Sequence, residues 1–160
     1  MKNNGFTLIE MLAVVLIIAM LVSVALPKYK RSVVRAEAME ALTNLRTLQD
    51  SALRAKASRP DRSAPTKLNE LDVDLFDADD KESASFFFGR YQYTMKSDRI
   101  VASKLGEISY SFIAYYPDLN GVGGEFTCTA SQETVWLCES MCREDASGNC
   151  EMKNGQYVIN

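Results

Sequence analysis

The sequence predicts an α+β fold in which one long N-terminal helix, half transmembrane and half amphipathic, packs on an antiparallel β-sheet ahead of a disulfide-bonded C-terminal region. Three observations carry this expectation. A dense apolar block runs from Phe6 to Leu26, a helical stripe of small and apolar residues follows it, and runs of strand-forming residues occupy the middle of the chain.

The apolar block comes first. Its 21 residues span roughly 31 Å as a helix, the thickness of a bilayer's hydrocarbon core. The overall mean hydropathy of -0.13 therefore hides two environments. Residues 1–5 are short and polar, and nothing resembling a signal-peptidase site follows the block, which Pro27 and Lys28 end, so the apolar segment is expected to be retained. A single carboxylate, Glu10, interrupts it. Left ionised and alone at depth, such a group costs on the order of 3 kcal/mol, so an intramembrane acid is by default a functional residue in need of a partner. The nearest candidate cation is the amine of Phe6, were the chain to begin there.

From Lys28 to Ala57 there is no Gly or Pro, and Val34, Ala38, Ala41, Leu42, Leu45, Leu48 and Ala52 recur at spacings of three and four. That is one stripe of an amphipathic helix, expected to pack on a sheet, and Pro60 marks its stop. Residues 58–85 are polar and proline-containing, a surface segment with a short helix candidate at Lys67–Leu71. Strand character appears at Phe86–Phe88 leading into Tyr91–Met95, at Ile100–Ser103 and at Ile108–Tyr116, so three to four antiparallel strands are expected. Asp98 and the Lys104-Leu105-Gly106 run suit the turns between them.

The four cysteines, Cys128, Cys138, Cys142 and Cys150, fall in the last third of the chain with spacing C-x9-C-x3-C-x7-C. An even number in a small region reads as two disulfides made in an oxidising compartment. Paired C-x2-C knuckles are absent and there is no histidine to complete a zinc set. Of three pairings, Cys128–Cys138 with Cys142–Cys150 is favoured because both close short loops; spacing alone leaves all three open. The lack of histidine also removes the commonest general base, and no catalytic constellation is visible, so an enzyme is not expected. With a formal net charge of -3 and pI near 5.1, nucleic acid is not expected as the main partner.

The loop Pro117–Gly121 with Glu125 is rich in oxygen ligands and glycine. It reads first as a turn; the alternative is a calcium site using Asp118, Asn120 and Glu125. No other cofactor is expected.

The run Gly5-Phe6-Thr7-Leu8-Ile9-Glu10, with the apolar stretch behind it and Pro27 beyond, resembles the processing motif of type IV prepilins and of the pseudopilins of type II secretion. The resemblance covers about the first 30 residues. It implies that a membrane-embedded prepilin peptidase cuts between Gly5 and Phe6, that the Phe6 amine is N-methylated, and that one helix from Phe6 to about Lys56 follows. Phe6, Glu10 and Pro27 would be assembly residues, with Glu10 meeting the Phe6 amine of a neighbouring subunit. Expected segments are a leader at 1–5, an assembly helix at 6–27, an amphipathic helix at 28–57 and a pilin-like globular head at 58–160. The partners implied are further copies of the chain in a helical filament, the peptidase, an inner-membrane assembly platform, and lipid before assembly. The subunit would sit in the inner membrane with its C-terminus in the periplasm, then in an extracellular pilus.

One feature opposes that orientation. Lys28, Lys30, Arg31 and Arg35 follow the apolar run while only Lys2 precedes it, so a bare positive-inside count would place the C-terminus in the cytoplasm. The cysteines and the motif say the opposite, and the reading follows them. Three roles fit: a type IV pilin, favoured by the disulfides; a pseudopilin, favoured by the Asp118 loop, which resembles in kind the calcium loops of major pseudopilins; and a minor tip pilin acting as a binding module.

Overall fold

A computed structural model describes residues 7–73, 82–106, 108–117 and 124–159. The chain divides into two compact units, residues 1–39 and 40–160, and one helix, α1 (Leu8–Ser58), contributes to both. In the first unit every residue from Leu8 to Val33 is exposed. The helix continues through Pro27, which has no N–H to donate to the carbonyl four residues back, at Ser23. The Ser23 hydroxyl itself donates to the Met20 carbonyl at 2.7 Å.

The second unit is a seven-stranded antiparallel sheet packed on the C-terminal part of α1. The strands are β1 (Ser85–Phe88), β2 (Tyr91–Met95), β3 (Arg99–Lys104), β4 (Tyr110–Tyr115), β5 (Phe126–Ala130), β6 (Met152–Lys153) and β7 (Gln156–Ile159). A short helix, α2 (Val135–Glu139), lies between β5 and β6. In the sheet the order is β1-β2-β3-β4-β5-β7-β6, so β7 enters between β5 and the edge strand β6. The register Tyr93↔Ala102↔Phe112↔Cys128 sets one face toward the core, and all four side chains are buried.

All seven residues of the predicted stripe, Val34 to Ala52, are buried, as spacing of three and four requires of one helix face. Leu45 and Leu48 are wholly enclosed. Gln49 donates from Nε2 to the Tyr115 carbonyl at 2.6 Å, and the Arg46 guanidinium lies 5.3 Å from the centroid of the Phe126 ring. At the other end of the sheet Phe86 stacks on Tyr93 at 5.5 Å, and the Tyr91 and Tyr110 hydroxyls are hydrogen-bonded. Burying both phenols against each other satisfies polar atoms that would otherwise be costly.

The surface segment after α1 is tied back to it. Asp72 accepts from Arg54 Nε at 2.7 Å and from the buried Ser51 hydroxyl. Foremost through Arg54, then Ser51, these contacts hold the Asp72 carboxyl well below the usual carboxylate range. The helix candidate at 67–71 is a single 3-10 turn, Leu68–Glu70, whose Glu70 carboxylate accepts from the Thr66 N–H at 2.7 Å.

The sheet exceeds the three to four strands that local patterns indicate. β1 and β2 are separate strands turned at Gly89, whose φ of +60° suits glycine, and β5, β6 and β7 come from the cysteine-rich region. β6 and β7 form a hairpin through Asn154-Gly155, both at positive φ, the geometry a two-residue turn of this type needs.

Candidate assembly site at the amino end of the helix

Thr7 stands immediately before α1 and Glu10 occupies its third helical position. The spacing T-x-x-E is that of a capping box, and the atoms are arranged accordingly. The Glu10 carboxylate accepts from the Thr7 N–H at 2.7 Å and from the Thr7 hydroxyl at 2.8 Å, while the Glu10 N–H donates to Thr7 Oγ1 at 3.3 Å. The first turn closes with the Met11 N–H donating to the Thr7 carbonyl at 3.3 Å. Two backbone N–H groups that a helix leaves orphaned are thereby satisfied, and an anion sits at the positive end of the helix dipole.

This arrangement changes the account of Glu10. The carboxylate is not bare within a single chain: Thr7 supplies two donors, which lowers the cost of carrying the acid into an apolar setting. Hydrogen bonds leave its charge in place, so a cation would still be favourable. Thr7 is the residue the sequence reading missed, although T-x-x-E ahead of an apolar run was visible in it. Gly5 and Phe6, the expected cleavage pair, lie outside the described residues. Pro27 lies within the exposed part of α1.

Behind Glu10, exposed apolar side chains continue from Met11 to Leu26. A stretch this long and apolar has the length to cross a membrane. A soluble monomer does not leave such a surface to water.

In the head, Cys128 is bonded to Cys138 and Cys142 to Cys150. The first bond ties β5 to α2 with both cysteines fully buried; the second, at intermediate exposure, closes the excursion that precedes β6. Of the calcium candidates, Asp118 and Asn120 lie outside the described residues. Glu125 is described and is occupied by cations of the chain: Lys153 Nζ at 2.6 Å and Arg143 Nη2 at 3.8 Å.

Residues 1–26 match the family model for the prokaryotic N-terminal methylation motif. That motif is the signature shared by type IV pilins and pseudopilins, and it marks structural proteins. No solved structure matches the chain. The architecture is nevertheless that of a pilin-like α+β protein: a long N-terminal helix packed with an antiparallel sheet, and two disulfides in the C-terminal region. Motif and helix together fit a membrane-anchored precursor that is processed and then assembles.

Proposed function

We propose that the chain is a structural subunit of a type IV pilus that polymerises through its N-terminal helix into an extracellular filament serving adhesion, motility or DNA uptake. The observation that carries this reading is the apolar half of α1, exposed along its whole length with one carboxylate near its amino end. Two environments can cover such a surface: lipid, or like helices bundled together. The subunit uses the first before assembly and the second after it.

Cleavage between Gly5 and Phe6 exposes an amine one residue ahead of the Thr7–Glu10 box. Glu10 then faces two partners, the donors of its own Thr7 and the amine of a neighbour's Phe6. Pairing with the neighbour neutralises the charge in an apolar core, and a subunit entering out of register leaves it unmatched.

The pseudopilin alternative rests on the loop around Asp118. Calcium there would have to draw Glu125 away from Lys153, whose ammonium already neutralises it. The two disulfides support the extracellular reading.

The test is to shear surface filaments from cells, identify the subunit by mass, and sequence its amino end. A pilin is expected in the sheared fraction beginning at N-methyl Phe6. A processed chain confined to the periplasm, whose deletion blocks protein secretion, would replace this reading with the pseudopilin. An uncleaved chain would overturn both.

A further inference from the structure

The head contains a pocket that the assembly reading does not use. It is a cavity of about 260 Å³ lined by Tyr115, Glu125, Thr127, Lys153, Asn154 and Gln156. We propose that this pocket binds a single uncharged hexose ring, free or as the terminal residue of a glycan. The pocket lies wholly within the second unit, so the inference stands whether or not the chain polymerises.

Strand register explains why these side chains meet. Tyr115 alternates with Phe112 and Ala114 along β4, and Thr127 with Phe126 and Cys128 along β5, so both point to the sheet face opposite the Phe112–Cys128 row. Gln156 precedes Tyr157, the partner of Cys128, and shares that face. The pairing of Lys153 with Gln156 across the β6–β7 hairpin brings Lys153 and the turn residue Asn154 beside it.

Hydrogen bonds then fix the orientation of the Gln156 carboxamide. Arg99 Nη1 donates to the Tyr115 hydroxyl at 3.4 Å, with the guanidinium 5.6 Å from the ring centroid, and the phenol's own hydrogen goes to Gln156 Oε1 at 3.2 Å. The hydroxyl of the buried Thr127 donates to the same oxygen at 2.9 Å. The oxygen is thereby held twice. The amide nitrogen keeps two hydrogens, and neither it nor the Asn154 carboxamide has a hydrogen-bond partner among the described residues. A donor already fixed in place loses little freedom when a ligand arrives.

Charge and size select the occupant. Lys153 and Glu125 are the ionised side chains of the lining, and they neutralise one another at 2.6 Å, with Arg143 Nη2 3.8 Å from the same carboxylate. A cation finds no free carboxylate there, and an anion no free ammonium. A purely apolar ligand would leave the carboxamide donors without partners. An uncharged polyol satisfies them: carboxamides offer paired donors and acceptors to vicinal hydroxyls, and the Tyr115 side chain offers an apolar wall to the C–H face of a sugar ring. The cavity is smaller than the roughly 300–1,000 Å³ of drug-sized sites, which suits one ring rather than a chain of them.

The full-length chain, isotope-labelled and held in an amine-oxide detergent so that no glycoside headgroup competes, would be titrated with glucose, galactose and mannose and with their methyl glycosides. The side-chain amide signals of Gln156 and Asn154 would be followed by NMR. At least one of these sugars should shift the Gln156 signals and saturate at about 1 mM, an affinity ordinary for so small a ligand. Gln156→Leu should weaken that binding by about tenfold or more, and Asn154→Asp, which keeps a residue tolerant of the turn's positive φ, should weaken it several-fold at unchanged melting temperature. Should Gln156→Leu lower the melting temperature, Asn154→Asp at the exposed turn decides alone. Binding of a free hexose without its methyl glycoside would make the free sugar the ligand, and binding of both would make it a glycan end. No shift with any of these sugars, binding that both variants retain, or equal binding of the anionic N-acetylneuraminic acid would overturn the proposal. Assembly takes no part in the titration, so a negative result leaves the filament reading as it stands.

Discussion

Glu10 has two jobs in this account, capping its own helix and pairing with a neighbour, and three substitutions separate them. Glu10→Gln removes the charge but retains an oxygen that can accept from the Thr7 N–H and hydroxyl, now at 2.7 and 2.8 Å. Glu10→Ala removes the charge and the carboxylate half of the cap, leaving the backbone N–H of residue 10 to donate to Thr7 Oγ1. Thr7→Val removes only the hydroxyl, at nearly constant shape. Losing a cap costs about 1 kcal/mol, and in a helix of 51 residues the loss is confined to the first turn, so all three chains should reach the membrane with a folded head. Pairing is worth more. Taking one partner from a buried ion pair costs about 3–5 kcal/mol, which weakens each subunit addition by roughly a hundred-fold to a few thousand-fold. Glu10→Gln and Glu10→Ala are therefore expected to fail alike at assembly, while Thr7→Val weakens addition about fivefold. The assay is expression in cells lacking the native subunit, with membrane level by blot and filaments in sheared fractions counted by electron microscopy. Wild-type filament yield from Glu10→Gln beside failure of Glu10→Ala would refute the pairing argument and leave capping as the residue's role.

Two further expectations concern the head. Cys142→Ala/Cys150→Ala should lower stability by about 2–3 kcal/mol through the loop-closure term, whereas Cys128→Ala/Cys138→Ala should cost more because both sulfurs are fully buried and leave a void. Urea unfolding of the full chain in detergent, followed through Trp136, compares them, and the reverse ranking would refute the burial argument. Asp72 carries a pH signature, since an acid whose folded pKa is depressed stabilises the fold above its unfolded value and loses that contribution as pH falls toward the folded one. Melting temperature should drop as pH falls below about 4, and less steeply in Asp72→Asn. An unchanged slope would show that the Arg54–Asp72 contact does not couple to folding.

How much of this was legible depends on the range of the interactions involved. α1 was readable almost to its ends, because a helix is a local structure and both its stripe and its terminal proline stand in the sequence. β2, β3 and β4 were readable as neighbours because only a few residues separate each from the next in the sequence. The strands beyond were harder. β5 and β7 pair across about 30 residues with α2 and a disulfide loop between them, and no local period encodes such a contact. Yet Asn154-Gly155 was a strong hairpin signal that the cysteine spacing overshadowed. Thr7 is harder to see for a related reason: the charge of Glu10 stands out in an apolar run, whereas the donors its oxygen atoms reach belong to an ordinary threonine three residues upstream.

The position of β7 has a consequence for how the head is made. This strand follows the other six described strands in sequence, yet it lies inside the sheet, pairing β5 on one side and β6 on the other. On the proposed export of the head, with its residues emerging in chain order behind the membrane helix, β1 to β4 would appear first and could zip together as successive hairpins. β5 must wait with one edge open until the final strand has emerged. During that interval the exposed edge can recruit the wrong strand from a neighbouring chain. Oxidation of Cys142 with Cys150 can precede the arrival of β7, since both cysteines emerge before it, and would hold the intervening excursion clear of the vacant slot. On that reading the head would complete its sheet only when β7 arrives, and a chain stalled before Gln156 would leave an edge of β5 open to aggregation.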